Sequence, residues 1–154
     1  MFFLIRSLNV GGAERQLVEL AKGLSKANFI ITVCLFYNEG ALLKELCGIC
    51  NVRIITLDKS GRWDIIRFFF SLIHILKSLN PQILYSFLPE ANIAGLIAGR
   101  LSGVKRIVWG VRASNMDVSR YDWFARMSLR LSAFLSKFPD AIIANSYAGK
   151  EFHR

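Results

Sequence analysis

The feature that most constrains this chain is an alternation. Short apolar runs of β type occur at residues 2–5, 29–36, 52–57, 82–87, 106–111 and 141–144. Between them lie stretches with helical spacing at 13–26, 40–47, 63–79, 91–101 and 122–137. Strands separated by helices cannot pair as tight hairpins. Each crossover returns the chain to begin the next strand in the same direction, which gives a parallel sheet covered on both faces. Six strands so connected predict an α/β fold, a doubly wound, mostly parallel, Rossmann-like sheet. Local punctuation agrees: Asn80-Pro81 stops the third helix, Pro89 stands near the start of the fourth, and Ser102-Gly103 closes it. Without a repeat, linker or low-complexity stretch, the 154 residues read as one domain able to bury a substantial core.

Apolar residues make up 53% of the chain, an excess that must be buried or placed against a partner or lipid. It does not form a membrane span. The longest apolar run, Phe68 to Leu76, is bracketed by Arg67 and Lys77 and falls short of the roughly 20 residues required. The opening MFFLI meets Arg6 too early for a secretory signal, so the expected location is cytoplasmic. The formal charge of +9 asks for an acidic partner. Between Arg100 and Lys137 eight basic residues face only Asp117 and Asp122, so the excess is local. Nucleic acid is disfavoured, because no RNP, helix-turn-helix or zinc pattern accompanies the charge. Cys47 and Cys50 have the spacing of half a zinc site, but nothing completes it. With Cys34 they read as buried or half-buried thiols in a reducing compartment. His74 reads as half-buried in its helix, and no metal is expected.

In doubly wound folds ligands gather at the carboxyl ends of the strands. The first such place is the turn Val10-Gly11-Gly12-Ala13 with Glu14 behind it. Glycines there let a backbone and a helix N-terminus approach an anion closely. The alternative is a tight strand-to-helix connection in which Glu14 interacts with the helix dipole. Neither GxGxxG nor GK[ST] is present, which leaves a Rossmann nucleotide-binding enzyme of another kind without its fingerprint.

Residues 7–24, SLNVGGAERQLVELAKGL, resemble the opening of the GT-B glycosyltransferases of family 4, the retaining enzymes of polysaccharide, lipopolysaccharide and glycolipid synthesis. Residues 86–95, SFLPEANIAG, are similar to the family's fourth strand and helix. VWGVRASN at 108–115 resembles the fifth strand and acceptor loop, and AIIANS at 141–146 the sixth strand. The resemblance covers essentially the whole chain but only the N-terminal, acceptor-binding half of such an enzyme. It implies that Gly11, Gly12 and Glu14 line an interdomain cleft near the donor diphosphate and acceptor. Arg112, Ser114, Asn115, Ser86 and Asn92 become acceptor-site candidates. Where relatives often carry a histidine after the fifth strand this chain has Arg112, which cannot serve as a base but suits a phosphate or carboxylate. A solvated surface charge is the other reading of Arg112, and a buried cap the other reading of Ser86. No catalytic residue is assigned. The donor would be a nucleotide-sugar, bound as substrate with no cofactor, in a C-terminal domain supplied in cis or in trans.

Two helical stretches combine aromatic and basic residues. Phe124, Met127, Leu131, Phe134, Leu135 and Phe138 share one face, flanked by Arg126, Arg130 and Lys137; Arg62, Trp63, Arg67 and Lys77 accompany Phe68-Phe69-Phe70. One reading packs the apolar faces on the sheet with basic stems covering the edge. The other lays them on anionic lipid at the inner face of the membrane, as a peripheral contact. A helix opening at Ser146 halts at Arg154, which suggests a chain that has been cut or that docks on a continuation. Two functions follow from the resemblance: the acceptor half of a glycosyltransferase moving sugar to a saccharide or lipid-linked acceptor, inactive alone, or a non-catalytic membrane-anchoring module that recruits a separate catalytic chain.

Overall fold

The computed structural model describes residues 1–61, 64–111 and 123–144, the last span without the side chains of 123–126. Its elements run β1 (Phe2–Ile5), α1 (Gly12–Lys26), β2 (Ile31–Leu35), α2 (Leu43–Leu46), β3 (Val52–Thr56), α3 (Ile65–Leu79), β4 (Ile83–Phe87), α4 (Pro89–Leu101), β5 (Arg106–Val111), α5 (Trp123–Leu135) and β6 (Ala141–Ala144). The six strands form one parallel sheet in the order β3-β2-β1-β4-β5-β6. The expected doubly wound fold is therefore present. The strand order reverses direction between β1 and β4, and that switch point opens a crevice at the carboxyl edge of the sheet.

β1 is buried along its whole length because both of its faces are covered. Phe2 and Leu4, with Leu84, Ile107 and Trp109, point into the core under α3 and α4. Phe3 and Ile5, with Val33, Leu35, Tyr85 and Phe87, point into the core under α1 and α2. The period-two alternation of the strands thus feeds two separate cores. α4 lies especially close to the sheet. A Cβ on Gly99 would stand 2.9 Å from terminal methyls of both Leu84 and Ile107, so any larger residue there would have to displace core side chains.

Boundaries differ where tertiary contacts override local pattern. β2 begins at Ile31, not at 29, because the Phe29 N–H caps α1 by donating to the Leu24 carbonyl (3.1 Å) and Ile30 stands exposed. The helix expected over 40–47 shrinks to one turn, since Gly40 adopts φ +129°, outside helical space. α4 starts two residues earlier than expected, with Pro89 in its first turn. Asn80 closes α3 in the left-handed conformation, directly before Pro81.

Three expectations about side chains are corrected. His74 is exposed, on the outer side of α3. Cys47 and Cys50 are exposed in the connection to β3, and only Cys34 is buried, where desolvation pushes its thiol up to about 12. The third correction concerns α5. Its inward residues are Ser128 and Ser132, one turn apart, while Met127, Leu131 and Phe134 are exposed, as is Phe138 just beyond. Small serines let α5 approach its neighbours, and of the two readings of its apolar face, packing on the sheet does not hold for Met127, Leu131 and Phe134. Among its described side chains, Leu135 leans on the core.

Candidate functional site at the switch point

Two strand-to-helix junctions flank the crevice, one after β1 and one after β4. The first runs from Arg6 to Gly11. Ser7 and Leu8 are buried, and the Asn9 amide donates to the Ser7 hydroxyl oxygen (3.1 Å). Val10 is then 78% exposed, a high value for a branched apolar residue, so the tip of the turn projects into solvent. Gly11 is the N-cap of α1 with φ −158° and ψ 169°, extended backbone that any residue can adopt. Conformational freedom is therefore not why glycine stands there. A Cβ on Gly11 would lie 2.3 Å from a carboxylate oxygen of Glu14, which folds back over the glycine. That position places the negative charge at the positive end of α1. The first intrahelical bond is the Arg15 N–H to the Gly11 carbonyl (3.0 Å), leaving the N–H groups of Gly12, Ala13 and Glu14 ahead of it.

The turn is braced from behind by the segment after β2. The Leu8 N–H donates to the Glu39 carbonyl and the Leu42 N–H donates to the Leu8 carbonyl, both at 3.0 Å. Gly40 lies between these bonds. A Cβ there would stand 2.0 Å from the Leu8 carbonyl carbon and 2.5 Å from the Asn9 nitrogen, an overlap of backbone with backbone. Gly40 is a residue of the turn's support that sequence reasoning missed; its signal is Asn38-Glu39-Gly40 directly after a strand, where the pattern reads as a helix start. The brace continues outward. Glu45 on α2 binds Arg15 (2.6 Å) and Lys22 (2.7 Å) of α1, and these hydrogen bonds, Lys22 first, hold its carboxyl below the usual range.

The second junction is closed. Ser86 and Asn92 are both buried, and the Ser86 hydroxyl donates to the Asn92 side-chain oxygen at 2.8 Å. The Asn92 amide reaches the Gly110 carbonyl at 3.4 Å and its backbone N–H donates to the Leu88 carbonyl at 2.8 Å. Leu88 itself takes φ +76°, an uncommon conformation for a bulky residue, to turn the chain from β4 into α4. The pair thus links the end of β4, the first turns of α4 and β5. The other acceptor candidates, Arg112, Ser114 and Asn115, lie outside the described residues, as does Arg62. The structure brings Gly11, Gly12 and Glu14 together, half exposed at the start of α1, while Ser86 and Asn92 lie buried beneath α4 on the other face of the sheet.

Of the surface candidates, Arg67 and Arg130 are exposed, and Lys137 extends over the rings of Phe134 (4.7 Å) and Phe138 (5.4 Å). The side chain of Arg126 is not described. Among the described residues no group of three His, Cys, Asp or Glu is placed to hold a metal ion. No described helix is long and apolar enough to cross a membrane.

Solved structures share this architecture. The Anabaena protein HepE in complex with UDP superposes with a TM-score of 0.72 over 99% of this chain at 22% identity. Its complex with UDP-glucose gives 0.72 at 21% identity over the same share. MurG from Acinetobacter baumannii matches with a TM-score of 0.65 over 93% of the chain at 17% identity. The chain spans about two-fifths of each: 39% of the two HepE chains and 40% of MurG. None of the curated proteins matches it in sequence. The model of Glycosyltransferase Family 4 matches residues 10–154, beginning at the turn that carries Gly11 and Gly12 and running through the last residue. With that match over nearly its entire length, and with the sheet of an N-terminal GT-B domain, this chain belongs to glycosyltransferase family 4.

Proposed function

We propose that this chain is the acceptor-binding half of a retaining glycosyltransferase, which moves a sugar from a nucleotide-sugar to a saccharide or lipid-linked acceptor. A C-terminal domain, in cis or in trans, supplies the donor pocket, and this half alone is inactive. The reaction uses no metal or other cofactor. The observation that carries the reading is the open corner at Gly11 and Glu14, on the carboxyl edge of the sheet at its switch point. The printed ligands of HepE, UDP and UDP-glucose, support a nucleotide-sugar donor.

The geometry refines which substrate meets this corner. A carboxylate already occupies the space beside Gly11. It repels a diphosphate and accepts hydrogen bonds from sugar hydroxyls, so Glu14 suits the acceptor better than the donor phosphates. Arg112 then serves an acidic group of the acceptor. The test is steady-state kinetics of the full-length enzyme carrying Glu14→Ala. Acceptor KM should rise about tenfold or more, the loss expected for a hydrogen bond to a charged group, while donor KM stays within about twofold. A donor KM that rises as much as the acceptor KM would return the corner to the diphosphate.

The outward apolar face of α5, with Arg130 and Lys137 beside it, supports peripheral contact with the inner face of a membrane. The same face is what a non-catalytic anchoring module would use. Transfer activity in the full-length protein separates the two readings.

A further inference from the structure

An apolar groove of about 530 Å³ lies between α3, α4 and α5, within the roughly 300–1,000 Å³ typical of small-molecule sites. Buried Phe68 and Ala94 line it, together with Ile93, Ile97, Met127 and Leu131. One end is polar. There Arg6, Lys59 and Glu90 line the space, two cations against one carboxylate. Arg6 follows β1 directly and its guanidinium stands 5.5 Å from the centre of the Tyr37 ring, while the Lys59 ammonium donates to the Gly61 carbonyl. This end therefore sits on the carboxyl edge of the sheet, on the same connection that carries Gly11.

We propose that the groove seats the hydrocarbon tail of an amphiphilic acceptor, with its phosphate held at the Arg6–Lys59 end. The inference rests on the acceptor-half reading and narrows the acceptor to a lipid phosphate. An apolar channel with one cationic terminus matches a molecule with one apolar body and one anionic end. The planar guanidinium of Arg6 suits a phosphate's paired oxygens. The groove takes in only part of the exposed side of α5: Met127 and Leu131 line it, with Ile97 of α4 opposite, while Phe134 and Phe138 lie outside it.

The test measures binding of octyl, decyl and dodecyl phosphate, each below its micellar concentration, to the full chain by calorimetry. Affinity should rise about fourfold for each added methylene, the factor for burying one such group in an apolar site. Ile97→Asp and Leu131→Asp alter partly exposed positions, which keeps folding intact, as unchanged melting temperatures would verify. Each should abolish the chain-length gain. Arg6→Ala should weaken all three ligands by a similar factor, about tenfold, and leave the gain in place. Equal affinity across the series, or a gain that survives both aspartates, overturns the groove. So does binding seen only with anionic vesicles, which would assign the face to a bilayer. Transfer to a saccharide without a tail, measured in the full-length enzyme, reports on the acceptor-half reading alone. If that transfer persists while the chain-length response is flat, the groove fails and the function stands.

Discussion

The junctions after β1 and β4 occupy equivalent places on either side of one crevice, and they are built in opposite ways. At β4 the polar side chains Ser86 and Asn92 satisfy each other and neighbouring carbonyls out of contact with solvent. At β1, beyond the Ser7–Asn9 pair and the exposed Val10, the junction ends in two glycines, one carboxylate folded over the first of them, and a helix start with N–H groups ahead of its first bond. A polar group that already has its partners holds structure. A backbone left open and supported from behind can receive a ligand. The difference marks Ser86 and Asn92 as residues that hold β4, α4 and β5 together, and leaves Gly11, Gly12 and Glu14 partly exposed at the other junction.

The largest effect should come from attacking the support. Gly40→Ala forces a Cβ into the Leu8 carbonyl group at a φ that L residues avoid. We expect a loss of roughly 3 kcal/mol or more in urea unfolding, the range for strained backbone combined with overpacking. A near-neutral variant would mean that the brace yields. Next is the closed junction. Asn92→Ala leaves the Ser86 hydroxyl only its long 3.4 Å contact with the Val108 carbonyl and frees the Gly110 carbonyl, for about 2 kcal/mol. Stability should fall while acceptor KM in the full-length enzyme holds, and a large KM change at intact stability would restore Asn92 to the ligand surface. Gly11→Ala should do the reverse. Only the flexible end of Glu14 has to shift, so unfolding should change by less than about 1 kcal/mol while acceptor KM rises.

The smallest effect tests the far side of the sheet. Asp140 accepts the Ile107 N–H at 2.8 Å, and that bond, ahead of the nearby Arg100 and Arg106, holds its carboxyl below the usual range. A depressed carboxylate stabilises above its unfolded pKa of about 3.9 and loses that contribution as pH falls through the folded value. Asp140→Asn should therefore cost about 1 kcal/mol at neutral pH, and the gap to the parent protein should close in acid. A gap that persists at low pH would show that shape, not charge, holds β5 to β6.

Much of this was legible in residue order. Runs such as FFLI and RIVWGV announced buried strands because a doubly covered sheet needs apolar residues at every position. The glycine turn announced itself by sitting between a strand and a helix. Its support did not, because the contact of residue 40 with residue 8 exists only once β1 and β2 are paired. The partnership of Ser86 with Asn92 was equally silent, since the segment between them spans a chain reversal set by Leu88. Helical periodicity grouped Met127, Leu131 and Phe134 correctly on one side of α5, but set Leu135 with them although it leans on the core. It could not say which side turns inward, because that choice depends on how closely α5 approaches its neighbours, and closeness favoured serine over phenylalanine.

The inward serines of α5 also free its other side from any duty to the interior. Met127, Leu131 and Phe134 can be exchanged for polar residues without opening a cavity, so folding places no demand on their apolar character. Whatever sets the composition of that surface acts from outside the domain. Change there alters what the protein sits against while the scaffold that shapes its crevice stays the same.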